Sequence, residues 1–173
     1  MASVNTIIDK YTERAPVNIE GIIQDLKINL EKITRCSKES PGALLRNPNG
    51  SFKIMINAND SYYRQRFTMA QLLSHYLMHL HKIGPGFKAS YDFLFKDTEF
   101  WENREKENGI TADLVNQANN CAVNLLTPEH LVITLNSEFN GDVYKLAQRF
   151  YISEKSMQNR LNMIKTTSYQ YAA

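Results

Sequence analysis

No run of apolar residues in this 173-residue chain approaches the ~20 needed to span a bilayer, so no membrane-spanning helix is expected. Residues 1–14 hold no apolar stretch of the kind a secretory leader carries, and a cytoplasmic location is the expectation. Cysteine is scarce. Cys36 and Cys121 stand far apart without paired spacing, which reads as two reduced thiols and not as a disulfide or a metal-binding pair. Net charge is scarce as well: the balance of +2 is too small to argue for a nucleic-acid partner by itself. Internal repeats and low-complexity segments are missing. What is left, 43% hydrophobic and 22% charged residues, is the composition of a soluble globular protein. At this length one domain can bury ~70% of the surface its unfolded chain exposes.

The apolar spacing predicts helices over 3–14, where Val4, Ile7, Ile8 and Tyr11 form a stripe, and over 18–26, capped by Asn18. Three strands follow, over 28–35, 42–46 and 51–57. The last alternates Phe52, Ile54 and Ile56. Asn47-Pro48-Asn49-Gly50 joins the second and third as a hairpin turn, because Asn-Gly tolerates positive φ. Gly84-Pro85-Gly86 is a hard stop. Between 87 and 108 the pattern is irregular and rich in aromatic residues. Thr111 caps a helix to about 126, and Thr127-Pro128-Glu129 opens the next. Two short helices over 142–150 and 153–164 close the chain, with 166–173 as a frayed tail.

The stretch around which these elements are organised is a central helix over 60–82, capped by Asp60 or Ser61. Met69, Leu72, Leu73, Tyr76, Leu77 and Leu80 form its apolar face. Gln71, His75 and His79 recur every four residues and stack on a second face. A polar row on a core helix marks a candidate active-site helix, or one that simply shows that row to solvent.

The run Arg64-Gln65-Arg66-Phe67-Thr68-Met69-Ala70 resembles the lead-in to the zinc-binding helix of the ImmA/IrrE-type metallopeptidases. In that family the lead-in runs into His-Glu-x-x-His, whose histidines hold zinc while the glutamate serves as general base. The resemblance continues in Ala118-Asn119-Asn120-Cys121-Ala122-Val123-Asn124-Leu125-Leu126-Thr127-Pro128, and in Leu146-Ala147-Gln148-Arg149-Phe150-Tyr151-Ile152-Ser153 followed by Arg160-Leu161. It covers roughly residues 18–164. It implies an α+β, zincin-like single domain over 1–173: N-terminal helices and a small antiparallel sheet (3–57), the central helix (60–82) packed on that sheet, and a C-terminal helical lobe (111–165).

The chemical positions depart from the family pattern. The first ligand position is Gln71, the base position is Leu72, and only the second ligand, His75, is kept. The family's third ligand is a glutamate just upstream of the Ala-Asn pair, where this chain has Val115, Asn116 and Gln117. A neutral amide is a poor zinc ligand, and leucine takes no proton. The expectation is a pseudoenzyme with no catalytic residue, no metal and no cofactor, in which Gln71, Leu72, His75 and Gln117 are vestigial, with Gln117 or Val115 near Gln71 and His75. Its function would be protein binding, as a regulator or antirepressor of a helix-turn-helix repressor in a phage or mobile-element circuit. Trp101, Phe100, Tyr91 and His79 are the candidate partner contacts. Two rivals stay open. One is a zinc endopeptidase with a rebuilt site drawing on His75, His79 or His81. The other is a small DNA-binding regulator using the C-terminal helices, with Lys155, Gln158, Asn159, Arg160 and Lys165 as contacts; direct nucleic-acid binding is the less favoured of the readings.

Overall fold

A computed structural model of the chain describes residues 3–34, 41–79, 88–90 and 111–170. In chain order the described elements are α1 (Val4–Thr12), α2 (Ile19–Asp25), β1 (Asn29–Ile33), β2 (Gly42–Arg46), β3 (Phe52–Asn57), α3 (Tyr62–His79), β4 (Lys88–Ser90), α4 (Ala112–Leu126), α5 (Glu129–Glu138), α6 (Val143–Phe150) and α7 (Glu154–Gln170). They fall into two compact bodies. One is Ile19–Ala122; the other joins Met1–Asn18 to Val123–Ala173. The fold class is α+β.

The first body is built on a four-stranded sheet of order β1-β3-β2-β4. The turn at Asn47–Gly50 forms as its residue types demand. Gly50 takes φ 82°, its amide donates to the Asn47 carbonyl at 2.9 Å, and the Asn49 carboxamide oxygen accepts from the Ser51 amide at 3.0 Å. The resulting hairpin pairs β2 with β3 antiparallel, with Leu44 opposite Ile54. The sheet is mixed, however, and not antiparallel throughout. β1 pairs with β3 in parallel, Leu30 opposite Ile54, instead of continuing a meander onto β2. β1 and β2 still run in opposite directions, but β3 lies between them, so the neighbour that β1 meets is a strand running its own way.

β1 takes its direction from the end of α2. Lys27 adopts φ 60°, and the Ile28 amide closes the turn onto the Ile23 carbonyl at 3.1 Å. Ile19, Ile22, Ile23, Leu44, Ile54 and Ile56 are at most 1% exposed. Met69, Leu72 and Leu73 supply the α3 side of this core. α3 begins as expected, with the Ser61 hydroxyl accepting from the Arg64 amide at 3.4 Å and Asp60 pairing with Arg64 at 3.3 Å. It is followed as far as His79; Leu80, His81 and Lys82 lie outside the described residues.

The second body is helical. Val132, Leu146, Ala147, Phe150, Met157 and Ile164 form its core together with Ala15. Asp142 caps α6 by accepting from the Lys145 amide at 3.1 Å. Tyr151 ends it in the left-handed region, at φ 53° and ψ 52°. That turn drops Ile152 onto the core, and Ser153 then caps α7 by accepting from the Ser156 amide at 3.2 Å. α7 runs on to Gln170, so the segment expected to fray from 166 is helical for another turn. No glycine or proline interrupts 154–170, and nothing in that run stops a helix.

Gly42 shows how closely β2 approaches α3. A Cβ placed there would meet the Met55 carbonyl oxygen at 2.6 Å and the Thr68 Cγ2 at 2.7 Å. The carbonyl belongs to a paired strand and cannot retreat. Gly42→Ala is therefore expected to destabilise the protein by about 1–3 kcal/mol, as overpacked sites do. Chemical denaturation of the variant measures this, and an unchanged midpoint would contradict the packing.

Candidate functional site

The polar row of α3 faces inward. Gln71 is 8% exposed, His75 2% and His79 5%, and Leu72 beside them is fully buried. Such a row must regain its hydrogen bonds inside the protein, and α4 supplies them. Gln71 Nε2 donates to Asn119 Oδ1. His79 Nε2 lies 3.3 Å from Gln117 Oε1, and His79 Nδ1 lies 3.2 Å from His75 Nδ1. The two rings sit 5.1 Å apart, tilted by 56°.

Gln117 Oε1 can only accept, so His79 carries a hydrogen on Nε2. The contact between the two Nδ1 atoms takes one hydrogen, from one ring or the other. His75 itself is neutral. Burial, with His79 as a second cause, pushes the His75 pKa from 6.5 down to about 3. One turn of α3 is also held from within, where the buried Ser74 hydroxyl donates to the Ala70 carbonyl at 2.7 Å.

α4 meets this row at two points only partly foreseen. Gln117 hydrogen-bonds to His79, the neighbour of His75 in the row, while Val115 is buried at 4% exposure. The partner of Gln71 is Asn119, which sequence reasoning used only as part of a scaffold motif. Its place in Ala118-Asn119, two residues past Gln117, was the available signal.

The profile of the IrrE N-terminal-like domain family, Peptidase_M78, matches residues 27–162. The chain belongs to this family. Among solved structures, a Mycobacterium tuberculosis transcriptional regulator superposes with a TM-score of 0.58 at 11% identity, covering 91% of this chain and 45% of that one, and this likeness is one of fold. The chain thus spans less than half the length of that regulator. No curated protein matches.

A peptidase of the IrrE-like family implies a zinc ion, and the residues at its positions here do not fit one. Zinc needs three nitrogen, sulfur or carboxylate ligands and an open position. The amide of Gln71 is turned to Asn119, Leu72 offers no acid or base, Val115 offers no donor, and the Gln117 carbonyl faces His79. His75 stands alone as a usable ligand of the family set. Among the described residues no three His, Cys, Asp or Glu side chains are grouped to hold a metal.

The structure places the remaining candidates as follows. His79, expected at a partner-facing surface, is instead buried, because its two ring nitrogens are taken up by His75 and Gln117. Tyr91, Phe100 and Trp101 lie outside the described residues, as does His81. Arg160, counted among DNA contacts, is 5% exposed. Its Nε donates to the Thr127 carbonyl at 3.3 Å, and Nη2 lies 3.8 Å from a Glu129 carboxylate oxygen. Burial lowers its pKa, with Glu129 working the other way. Arg160 therefore ties α7 to the start of α5. Lys155, Gln158, Asn159 and Lys165 remain exposed on α7. No described helix is long and apolar enough to cross a membrane.

The buried, neutral His75 has a pH consequence. With its folded pKa near 3 and its unfolded value at 6.5, His75 binds fewer protons in the folded state throughout that window. Stability is complete above pH 6.5 and falls as pH drops toward 3, by up to about 1.4 kcal/mol per unit. His75→Gln removes the titrating group, so its denaturation midpoint should fall less steeply with acidification than that of the unaltered protein. Equal slopes would contradict the assignment.

Proposed function

We propose that this IrrE-like chain is a catalytically inactive family member that works by binding a protein. The observation that carries the reading is the Gln71–Asn119 hydrogen bond at the first ligand position, beside a buried leucine at the base position. A missing general base alone lowers rates by ~10²–10⁴, and without a metal the attacking water is not activated at all. A scaffold that keeps its family core while losing the base and two of three ligands retains surfaces, not chemistry.

The partner in this reading is a helix-turn-helix repressor, held without being cut, in the circuit of a phage or mobile element. Support comes from the family, whose active members meet such repressors, and from the fold likeness to a protein described as a transcriptional regulator. Tyr91, Phe100 and Trp101 remain candidate anchors for that partner.

Metal content tests the reading directly. After mild dialysis the purified protein is expected to hold well below one zinc per chain by elemental analysis. Stoichiometric zinc that disappears in His75→Ala would establish a rebuilt peptidase site instead. The double variant Gln71→His/Leu72→Glu should still bind zinc weakly and cleave nothing, because Val115 and Gln117 supply no third ligand. Tight zinc binding by that variant would show that the third ligand comes from elsewhere.

A further inference from the structure

The helical body carries an open pocket of about 440 Å³ lined by Pro16, Phe139, Lys145, Gln148, Arg149 and Tyr151. We propose that this pocket and the adjoining face of α6 form a docking surface for an acidic segment of a partner protein. The segment would place one apolar side chain against Phe139 and Pro16 and its carboxylates against Arg149 and Lys145. The inference is independent of the histidine pair and holds whether or not the chain cleaves anything.

Four observations converge on it. First, Tyr151 occupies the left-handed region at φ 53°, where glycine or asparagine fits with less strain. Tyr151 is 43% exposed, and its side chain lines the pocket. Second, Tyr144, a further α6 residue, is 54% exposed, and its hydroxyl accepts from Gln148 Nε2 at 2.5 Å. The hydrogen bond steers its ring along the helix. Third, Arg149 is exposed and makes no ion pair among the described residues, while Lys145 Nζ is 3.3 Å from Asp142 and 65% exposed. Tyrosine and arginine are the residues that most often dominate the energetics of protein interfaces.

Fourth, the charge favours a peptide over a nucleic acid. The surface has two cations, Arg149 and Lys145, and the second is already paired with Asp142. A duplex needs a row of cations along its length, whereas a pocket of this size holds one or two side chains.

The test uses the full chain and three fluorescent probes read by anisotropy: a 12-residue peptide alternating Glu-Asp with Leu-Phe, the same peptide with Lys replacing every acid, and a 20-base-pair DNA duplex. The acidic peptide is expected to bind, with an affinity that falls as salt rises, and the lysine peptide to bind at least about tenfold more weakly. Tyr151→Gly should weaken the acidic peptide by about tenfold or more while its melting temperature holds or rises, since glycine relieves the strained turn. Arg149→Glu, at an exposed position, should weaken it similarly without loss of stability. Absence of binding to the unaltered protein, equal affinity for the two peptides, full affinity in both variants, or tighter competing binding by the duplex would each overturn the proposal. A Tyr151→Gly protein that melts early does not rescue it, because Arg149→Glu then decides alone.

Discussion

A polar side chain withdrawn from water must find its hydrogen bonds elsewhere, and α3 withdraws three of them in one row. Gln71, His75 and His79 are each less than a tenth exposed, yet they lie on the helix that packs against the sheet. The first body is arranged around meeting this demand. α4 has to lie where Gln117 and Asn119 can reach the row, and one hydrogen has to lie between the two histidine Nδ1 atoms. A relative with three ligands could meet the same demand with one ion. Here side-chain amides meet it, and the two helices are joined by directional bonds.

The same reasoning explains Arg160 in the helical body. A guanidinium at 5% exposure is tolerable only where its donors are used, and it spends them on the Thr127 carbonyl and the Glu129 carboxylate. This links α7 to the chain between α4 and α5. The contact restrains a helix whose other anchors, Met157 and Ile164, are apolar and non-directional.

Much of this was legible in the sequence, and the exceptions share a cause. The Asn47–Gly50 turn, the serine and aspartate caps and the four-residue rhythm of Gln71, His75 and His79 are local patterns, and local patterns act through neighbouring backbone. The residues that misled are those whose partner is distant in sequence. Gln71 meets Asn119 across 48 positions, and Arg160 meets Thr127 across 33. Spacing says nothing of such meetings, so an interior arginine read as a surface cation. The parallel placement of β1 is hidden for the same reason, because strand order is decided by pairings between segments. The substitutions at the family's ligand positions were visible at once, but which amide would meet which partner was not.

The pairing of β1 with β3 also bears on the order in which the sheet assembles. β2 and β3 are joined by a turn of a few residues, and closing that loop takes little entropy. β1 must find a strand that lies beyond β2 in the chain, through a far longer loop and with the less favourable parallel geometry. The hairpin is the early unit and β1 its late addition. In the finished sheet β1 and β4 are the edge strands, each with one neighbour. The outer edge of β1 is a surface on which two copies could stick. Glu31 and Lys32 place a carboxylate and an ammonium on the two faces of β1, paired with Lys53 and Glu20, and charged side chains on an edge strand discourage such contact.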